Sequence, residues 1–452
     1  MKRNVLLSIL TAIVFLSLLL VTREASGIPD SYPIPESILH VKSGASGNCY
    51  TWEFACDLQT ALTNSVSGDQ IWVASGTYLP TSDTNRSATF QLKSGVAIYG
   101  GFPADGGEWE DRDWKLNITT LSGNINIPEE TYDNSFHVVT GSGVTSDAIL
   151  DGFTITEGFA TQISGYDAFG GGMNNISGNP TLANLIFVGN RGQSGGGGMY
   201  NSDSHPSLTN VIFSNNATNG NGGGMFNENY SQPTLTDVIF SNNTANHGGG
   251  MSNYYSDPTL TRVTFNNNSV TSNGGGIEIF LSSPSLTNVT FTGNFAAKYG
   301  GGINAYYFCP NMVNVTISNN TAGINGGGIY NEGMSCFSLI NSILWGNTPN
   351  QIAGPIAVTI TYSTIQGGYT GEGNSENDPL LGPLADNGGV SQTHALLHGS
   401  PAIDTGSPTV CPTTDQRGFG RPTDGDGDGI TRCDMGAFEF YPTLYLPLIM
   451  KN

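Results

Sequence analysis

Charged residues are scarce in this chain of 452 residues, because Lys, Arg, Asp and Glu together make up only 11% of it. Such a fraction is low for a soluble cytosolic protein. No Cys-x-x-Cys pair occurs, which argues against a thiolate zinc site. The 62 glycines follow no Gly-X-Y period, which excludes collagen. Asn, Thr and Ser dominate the polar positions, and this mixture favours a turn-rich β architecture with a neutral, hydroxylated surface.

The N-terminal segment 1–27 has the pattern of a secretory signal. Lys2 and Arg3 precede the apolar run Val5–Val21, and the small residues Ala25–Gly27 offer a cleavage site. An uncleaved membrane anchor is the alternative, since this apolar run is nearly long enough to span a bilayer. No later segment is long and apolar enough to cross a membrane. The sequence therefore predicts an exported protein, secreted or at the cell surface, with no transmembrane span in its mature form.

The chain is strongly acidic, with 36 Asp and Glu against 15 Lys and Arg. Without residues 1–27, which hold three basic residues and one acidic residue, 12 basic and 35 acidic residues remain, a net charge of −23. Such a chain repels phosphate backbones, so binding of nucleic acid is disfavoured. The same charge provides oxygen ligands for divalent cations.

The six cysteines of an exported chain predict disulfides. The plausible local pairings are Cys49–Cys56, Cys309–Cys336 and Cys411–Cys433. The members of the second pair are separated by about one period of the repeat described next, so they are expected to face each other on neighbouring coils.

A Gly-Gly-Gly triplet recurs at a constant spacing through the middle of the chain. The triplets occupy residues 170–172, 196–198, 222–224, 248–250, 274–276, 300–302 and 326–328, so the period is 26. A fixed period of this length is typical of a solenoid. After each triplet comes Met or Ile, and an Asn recurs two positions later in five of the coils, with Ile279 and Ala305 in the other two.

The second half of each coil carries a Pro-x-Leu-x-Asn-Val-x-Phe-x-x-Asn phrase, as in Pro206–Asn216. Apolar residues alternate over short stretches, and Glu, Lys and Ala are rare, which favours strands over helices. We therefore predict an all-β, right-handed parallel β-helix with 26-residue coils and a capping segment at each end. Phe is expected to stack on Phe inside the coils and Asn on Asn at the bends, where Asn side chains can hydrogen-bond to each other and to turn backbone.

The triplet and the Phe-x-x-Asn phrase resemble the polymorphic outer-membrane-protein type of β-helix repeat. DLQTAL (Asp57–Leu62), SGDQIWVASGTYLPT (Ser67–Thr81) and SGVAIYGGF (Ser94–Phe102) resemble the opening of secreted bacterial parallel β-helix proteins. DPLLGPLADNGG (Asp378–Gly389), THALLHGSPAID (Thr393–Asp404), DQRGFGRP (Asp415–Pro422) and CDMGAFE (Cys433–Glu439) resemble the choice-of-anchor Q domain. The resemblance implies a bacterial cell-surface or secreted protein, and it implies no defined activity.

The predicted organisation follows from the repeat and the resemblance. It comprises a signal peptide (1–27), a linker (28–39), N-terminal capping and first coils (40–120), the β-helix (121–377), a C-terminal choice-of-anchor-Q-like cap (378–440) and a tail (441–452). The tail lacks an LPxTG motif. It is interpreted either as an export or anchoring tag or as a last packed strand.

Catalysis on such a scaffold needs carboxylates held close together. Asp203 and Glu228 fall at nearly the same position of neighbouring coils, with His205 nearby, and these three are the best catalytic candidates. The alternative interpretation is two solvated loop carboxylates. The net charge argues against an acidic polymer as the substrate.

Aromatic residues cluster shortly after the Met or Ile position of successive coils. They are Tyr230, Tyr254, Tyr255, Phe280, Tyr306 and Tyr307. Because the coils stack, these rings are expected to form a ladder along one ridge, where aromatic faces can contact sugar rings or partner proteins. Ordinary stacking within the solenoid is the alternative.

The segment Asp424–Ile430 (DGDGDGI) resembles the start of a calcium loop. Its twelfth position is Met435 and not Glu, so the EF-hand pattern is incomplete. The candidate ligands are Asp424, Asp426 and Asp428, with Asp434 as a substitute for the missing Glu. We expect a structural calcium ion, with a flexible acidic loop as the alternative.

Three functions are compatible with these features. The first hypothesis is a non-enzymatic surface or secreted protein that mediates adhesion, with glycans or surface proteins as partners. The second is a carbohydrate-active enzyme, either a polysaccharide lyase or a glycosidase. The third is a structural component of the envelope.

Overall fold

A computed structural model describes residues 37–442 of the chain, except residues 126, 128–129, 162–164, 309, 336 and 356–357. These residues form the predicted parallel β-helix, with about ten turns. Equivalent positions of successive coils pair in register, so Phe187 pairs with Phe213 and Phe213 with Phe240. The predicted signal segment and nearly all of the predicted tail lie outside the described residues.

Three parallel sheets run along the β-helix. Sheet A consists of Ile38–Val41, Gln70–Ala74, Gly76–Tyr78, Ala97–Phe102, Thr119–Ser122, Ile149–Asp151, Thr154–Thr156, Thr181–Val188, Ser207–Ser214, Thr234–Ser241, Thr259–Thr261, Thr264–Asn266, Ser285–Thr292, Asn311–Ser318, Ser338–Ile340, Ile343–Trp345, Thr359–Thr361 and Thr364–Ile365. Sheet B consists of Phe90–Gln91, Val139–Thr140, Met173–Ile176, Met199–Ser202, Met225–Glu228, Met251–Tyr254, Ile277–Phe280, Ile303–Phe308, Ile329–Ser335 and Ile352–Ala353. Sheet C consists of Phe159–Ala160, Arg191–Gly192, Ala217–Thr218, Thr244–Ala245, Ser269–Val270, Phe295–Ala296 and Thr321–Ala322.

The core is a set of identical residues stacked coil on coil. The rings of Phe213 and Phe240 lie parallel within 5°, with centroids 4.9 Å apart, and those of Phe265 and Phe291 lie 4.7 Å apart. Burying one such side chain contributes about 1.5–3 kcal/mol. The Phe-on-Phe prediction is thereby confirmed.

The first and third positions of the triplet require glycine for different steric reasons. The first glycine has a positive φ, as at Gly196 (60°) and Gly222 (70°), a conformation that costs glycine little. At the third, a Cβ on Gly198 would meet the carbonyl oxygen of Gly224 in the next coil at 2.6 Å. The triplet therefore sets both the corner and the close approach of the coils.

Buried asparagines form the ladder predicted at the bends. Asn216 donates from Nδ2 to Asn243 Oδ1 (3.1 Å) and to the backbone oxygen of Phe187 (2.9 Å). Its own Oδ1 accepts from the backbone nitrogen of Asn190 at 3.0 Å. The ladder satisfies polar groups that burial would otherwise leave unpaired.

The N-terminal edge of the solenoid is covered, as predicted. The segment closed by the Cys49–Cys56 disulfide lies along the first strand, where His40 N donates to Cys49 O (2.7 Å) and Cys56 N donates to His40 O (3.1 Å). A helix at Leu58–Asn64 follows, begun by Asp57, whose side chain accepts from Thr60 N. Two 3₁₀ turns lie further on, at Trp109–Asp111 and Tyr166–Ala168.

Two segments of the chain follow the last coil. The last coil is covered by the chain just after it, because Tyr362 N donates to Glu372 O (2.7 Å) and Ile365 N donates to Ser375 O (2.9 Å). Residues 378–440, for which the sequence predicts a C-terminal cap, lie along the outer face of sheet A. They contain the antiparallel pair Leu381–Ala385 and Thr393–Leu396. We call residues 378–440 the lateral segment.

Two of the three predicted disulfides are present, Cys49–Cys56 and Cys411–Cys433. The third, Cys309–Cys336, lies outside the described residues and remains a prediction. No helix in the part of the chain that the structure describes is long and apolar enough to cross a membrane.

Candidate functional site

The six aromatic residues predicted to form a ridge lie together along one edge of sheet B. Tyr254, Phe280 and Tyr306 occupy equivalent positions of three successive coils, because Tyr254 pairs with Phe280 and Phe280 with Tyr306 in the sheet register. Tyr255 and Tyr307 are the residues that follow Tyr254 and Tyr306 in the chain. We call these five residues and Tyr230 the aromatic ridge.

Three rings of the ridge stack face to face. The ring centroids of Tyr254 and Phe280 are 4.8 Å apart with planes 9° apart, and those of Phe280 and Tyr306 are 5.0 Å apart with planes 6° apart. The spacing follows from the distance between coils, roughly 4.8 Å. Both faces of the Phe280 ring are therefore covered by its neighbours. The ring edges of the stack and the hydroxyl groups of its two tyrosines remain for contact with solvent or a ligand.

A second row of rings stands nearly perpendicular to the first. Tyr255 meets Tyr254 at 87°, and Tyr307 meets Tyr306 at 80°. Tyr255 also approaches Tyr230, with ring centroids 6.3 Å apart. Tyr230 is 71% exposed, and Tyr254 and Tyr255 are 38% and 39% exposed. Large aromatic side chains are thus held at the surface in a fixed arrangement.

The second row has an unusual backbone. Tyr230, Tyr255 and Tyr307 have φ of 63°, 50° and 56°, in the left-handed region that bulky residues rarely adopt. At the position of Tyr255, other coils carry Asp203 (φ 50°) and Leu281 (φ 50°). The positive φ is therefore set by the corner that follows the sheet B strand, whatever residue occupies it. Placing Tyr there costs energy, and backbone strain of this kind recurs at functional sites.

A glutamate occupies the equivalent position in the coil before the stacked row and in the coil after it. Glu228 pairs with Tyr254 in the sheet register, and Glu332 pairs with Tyr306. A hydrogen bond with Tyr307 raises the pKa of Tyr306, and the charge of Glu332 adds to the shift. The Tyr306 phenol is therefore protonated at neutral pH and can act as a hydrogen-bond donor.

The three catalytic candidates do not form one site. Asp203 and His205 are exposed, and Asp203 accepts a hydrogen bond from Ser177 Oγ (3.1 Å). His205 Nδ1 accepts from the backbone nitrogen of Gln232 (3.1 Å), and Glu228 accepts from the hydroxyl of Tyr200. Each candidate thus has its own separate partner. In the described ranges, no hydrogen bond or ion pair joins the three side chains to one another.

Glu278 is a buried carboxyl beside the ridge. It is not among the site residues that the sequence predicts. It is 8% exposed, lies 3.7 Å from His247 Nδ1, and accepts from Asn304 Nδ2 at 3.1 Å. Burial raises the pKa of Glu278. The only sequence signal is a carboxylate directly after Ile277, where the neighbouring coils carry Ser252 and Asn304.

The predicted calcium ligands separate into two groups. Asp424 and Asp426 lie together, joined by Asp404, with one carboxylate oxygen of each within 4.8 Å of the others. Asp428 instead pairs with Arg432 at 3.1 Å. Asp434 is fully buried and accepts from the backbone nitrogens of Asp404 (2.8 Å) and Phe440 (2.5 Å). The participation of Asp404 has no signal in the loop motif, because Asp404 lies well before that motif in the chain.

The lateral segment is attached to sheet A by buried polar side chains. Gln416 donates from Nε2 to Thr264 Oγ1 (2.7 Å) and accepts from Thr290 Oγ1 (2.5 Å). Asn314 donates from Nδ2 to the backbone oxygen of Asp434 (2.9 Å), and His394 Nε2 lies 3.0 Å from Thr292 Oγ1.

The sequence carries a signal for this attachment. In sheet A, the outward position between two inward apolar residues is Ile in three successive coils, at Ile186, Ile212 and Ile239. The same position is Thr in the three following coils, at Thr264, Thr290 and Thr316. Those three threonines are almost fully buried by the lateral segment.

The cavities next to the lateral segment lie apart from the ridge. One of about 710 Å³ is lined by Thr292, Trp345 and His394, among others. Another of about 590 Å³ is lined by His398, Ser400 and Asp426, among others.

Comparison with known proteins agrees with the repeat and the fold. Residues 262–279, 288–306 and 314–332 match the Chlamydia polymorphic membrane protein (Chlamydia_PMP) repeat. Among solved structures, the crystal structure of pectate lyase Pel9A is similar, with a TM-score of 0.50 and 12% sequence identity over 90% of this chain and 97% of that chain. This likeness concerns the β-helix fold. No curated protein sequence matches the chain.

Proposed function

We propose that this protein is a non-enzymatic surface protein of the adhesin type, which binds neutral glycans through the aromatic ridge. The observation that carries the proposal is the two-row arrangement of exposed and partly exposed aromatic residues, in which Tyr255 and Tyr307 are held at positive φ. Tyr presents a large apolar body and a polar hydroxyl, a combination enriched at recognition surfaces. The match to a repeat of polymorphic membrane proteins supports a location at the bacterial surface.

The chemistry of the ridge favours a neutral, hydroxyl-rich ligand. The chain has a net charge of −21, and Glu228 and Glu332 follow the two ends of the stacked row. An acidic polymer would be repelled by both. Because the stacked faces are occupied by neighbouring rings, a ligand meets ring edges and phenol hydroxyls, which donate to and accept from sugar hydroxyls.

Binding is favoured over catalysis because no residue of the ridge lines either of the two cavities described above. Enzyme sites are usually concave and hold a small number of convergent polar groups. The candidates Asp203, His205 and Glu228 have separate partners, as described above, and provide no such convergence. The similarity to a pectate lyase concerns the β-helix fold. At 12% sequence identity it does not indicate a shared activity.

The test is a glycan array with the purified protein and two matched variants. The double variant Tyr255→Ala/Tyr307→Ala removes the two rings that stand perpendicular to the stacked row. Tyr50→Ala removes a tyrosine that is 68% exposed near the N-terminal cap. We expect the wild-type protein and Tyr50→Ala to bind the same neutral glycans and the double variant to lose at least about 90% of the signal, since loss of anchor residues commonly costs about 2 kcal/mol or more.

Three outcomes would overturn the proposal. These are no glycan bound by the wild-type protein, equal binding by the double variant, or release of reducing sugar from any polysaccharide in a parallel assay. Melting curves of all three proteins show whether the variants are folded, so that lost binding is separated from lost structure.

A further inference from the structure

The acidic loop Asp424–Ile430 is held in one conformation by its own carboxylates. Asp424 accepts from Gly427 N (2.8 Å) and Gly429 N (3.0 Å), and Asp426 accepts from Asp428 N (2.9 Å). These bonds bring the negative charges of Asp424 and Asp426 close together. They shape the loop, but they do not by themselves identify a ligand.

The independent observation is Asp404, which enters the loop from the preceding part of the lateral segment. Its side chain is 3% exposed, and its Oδ2 accepts from Gly425 N (2.8 Å) and Asp426 N (2.7 Å). Its other oxygen, Oδ1, is buried without a hydrogen-bond partner. An unpaired buried oxygen of a carboxylate is costly unless it has a partner or a metal ion.

We propose that Asp404, Asp424 and Asp426 together bind a calcium ion. One carboxylate oxygen from each lies within 4.8 Å of the others. Two oxygens that bind one calcium ion at about 2.4 Å can be at most about 4.8 Å apart, so the spacing fits a shared ion. The three ligands are oxygens, which suit a hard cation rather than zinc or copper. Backbone carbonyls and water complete the six to eight ligands that calcium takes.

The ligand set differs from the one that the loop motif predicts. Asp428 is engaged by Arg432 and by the backbone nitrogen of Ile430 (2.7 Å). The carboxylate of Asp434 points to the backbone nitrogens of Asp404 and Phe440. Asp404 therefore replaces both as the third ligand, and the ion joins two separate parts of the lateral segment.

The position of Asp404 gives the ion a structural role. Just after Asp404, Gly406 N donates to Cys433 O (2.8 Å), and Ser407 N donates to Asn341 Oδ1 on the solenoid (2.6 Å). Cys433 is joined to Cys411 by a disulfide. A calcium ion would thus fasten the acidic loop to the part of the lateral segment that docks on sheet A. This role is independent of glycan binding by the ridge.

The test is calorimetric titration of the purified, chelator-treated protein with CaCl2 and separately with MgCl2, together with melting curves. We expect one saturable calcium site, weaker binding of magnesium, and a melting temperature that rises with calcium, since a ligand that binds only the folded state stabilises it by RT ln(1 + [L]/Kd). Trypsin cleavage after Arg432 should slow in calcium.

The variants decide which carboxylates bind. Asp404→Asn and Asp426→Asn should each weaken calcium binding at least about tenfold, because calcium affinity depends on ligand charge. Asp428→Asn, which makes the same change in the same loop, should bind like the wild-type protein. The absence of a saturable site in the wild-type protein would overturn the proposal whatever the variants do. Loss of binding in Asp428→Asn with retention in Asp404→Asn would overturn the ligand assignment.

Discussion

Gln416 donates a hydrogen bond from Nε2 to the hydroxyl of Thr264 at 2.7 Å, across 152 residues of chain. The same amide accepts from Thr290 one coil further on. Through these contacts the lateral segment covers the outer face of sheet A, which in the coils of Ile186, Ile212 and Ile239 remains partly exposed. The β-helix therefore has one side occupied by its own C-terminal segment and another side that presents the aromatic ridge.

Replacing Thr264 by Ile should destabilise the docked lateral segment. The variant removes the shortest hydrogen bond of Gln416 Nε2, which keeps longer contacts with Ser391 Oγ (3.2 Å) and Val263 O (3.4 Å). It also replaces a buried hydroxyl with a larger ethyl group, and together these changes should cost about 2 kcal/mol in the free energy of unfolding. Ile239→Thr is the control, because Ile239 pairs with Thr264 in the sheet but is partly exposed. We expect urea unfolding to show an earlier transition for Thr264→Ile only. Equal loss in both variants would contradict a specific docking contact.

Asn216→Ala should be among the most destabilising single changes in the solenoid. It removes both hydrogen bonds that Asn216 Nδ2 donates and leaves the backbone nitrogen of Asn190 without its acceptor. Asn190 Nδ2 loses one of its two acceptors and keeps Ile155 O. Several buried groups left unpaired cost about 3 kcal/mol or more in the free energy of unfolding. Chemical denaturation monitored by circular dichroism measures this loss.

The adjacent residue provides a matched control for that experiment. Asn215 is exposed and has φ of 55°, and glycine occupies the equivalent position at Gly189 and Gly293. Asn215→Gly should change the free energy of unfolding by less than about 1 kcal/mol. A large loss there would show that the corner conformation, and not the ladder, determines stability.

The contribution of His394 to stability should fall as the pH is lowered. Burial lowers the pKa of His394, whose ring nitrogens contact Gly382 O (2.8 Å) and Thr292 Oγ1 (3.0 Å). A lowered pKa in the folded state means that the folded protein holds this proton less tightly than the unfolded chain does. The contribution of neutral His394 is thus complete above the unfolded value, about 6.5, and is lost as the pH falls below it.

Unfolding curves at pH 7.5 and pH 5 test this dependence. The stability of the wild-type protein should fall relative to that of His394→Gln between pH 7.5 and pH 5. The comparison between the two proteins is needed because burial also lowers the pKa of His40 and raises the pKa values of Asp434 and Glu278. An equal pH dependence in the two proteins would refute the assignment.

Tyr255→Asn should leave stability almost unchanged while removing glycan binding. Asn adopts positive φ more readily than Tyr, and a residue in this region costs roughly 1–2 kcal/mol. That gain offsets the loss of partly exposed ring contacts with Tyr254 and Tyr230. Melting temperature and glycan binding are measured on the same preparation. Unchanged glycan binding would contradict the binding role of Tyr255, and a large drop in melting temperature would show that its ring stabilises the corner.

The repeated features of this protein were predictable from the sequence alone. The constant period, the inward Leu and Phe, the Asn ladder and the glycine corners all follow from contacts between residues one period apart. Because parallel strands pair equivalent positions of neighbouring coils, a pattern along the chain is also a pattern of contacts in space. The core and the alignment of the ridge residues could therefore be inferred without coordinates.

Contacts outside the period were decided by the tertiary structure. Asp404 meets Asp424 and Asp426, and Gln416 meets Thr264, because the chain after the last coil folds back along sheet A. A periodic pattern cannot predict these contacts, because they join the lateral segment, which occurs once in the chain, to strands that repeat. Likewise, only the folded structure shows that the rings of Tyr254, Phe280 and Tyr306 stack face to face. This stacking depends on the orientation of the side chains and not on their spacing in the sequence. The sequence by itself thus determined the scaffold and the positions of its exposed aromatics, whereas the folded chain decided which carboxylates converge and which surfaces remain free.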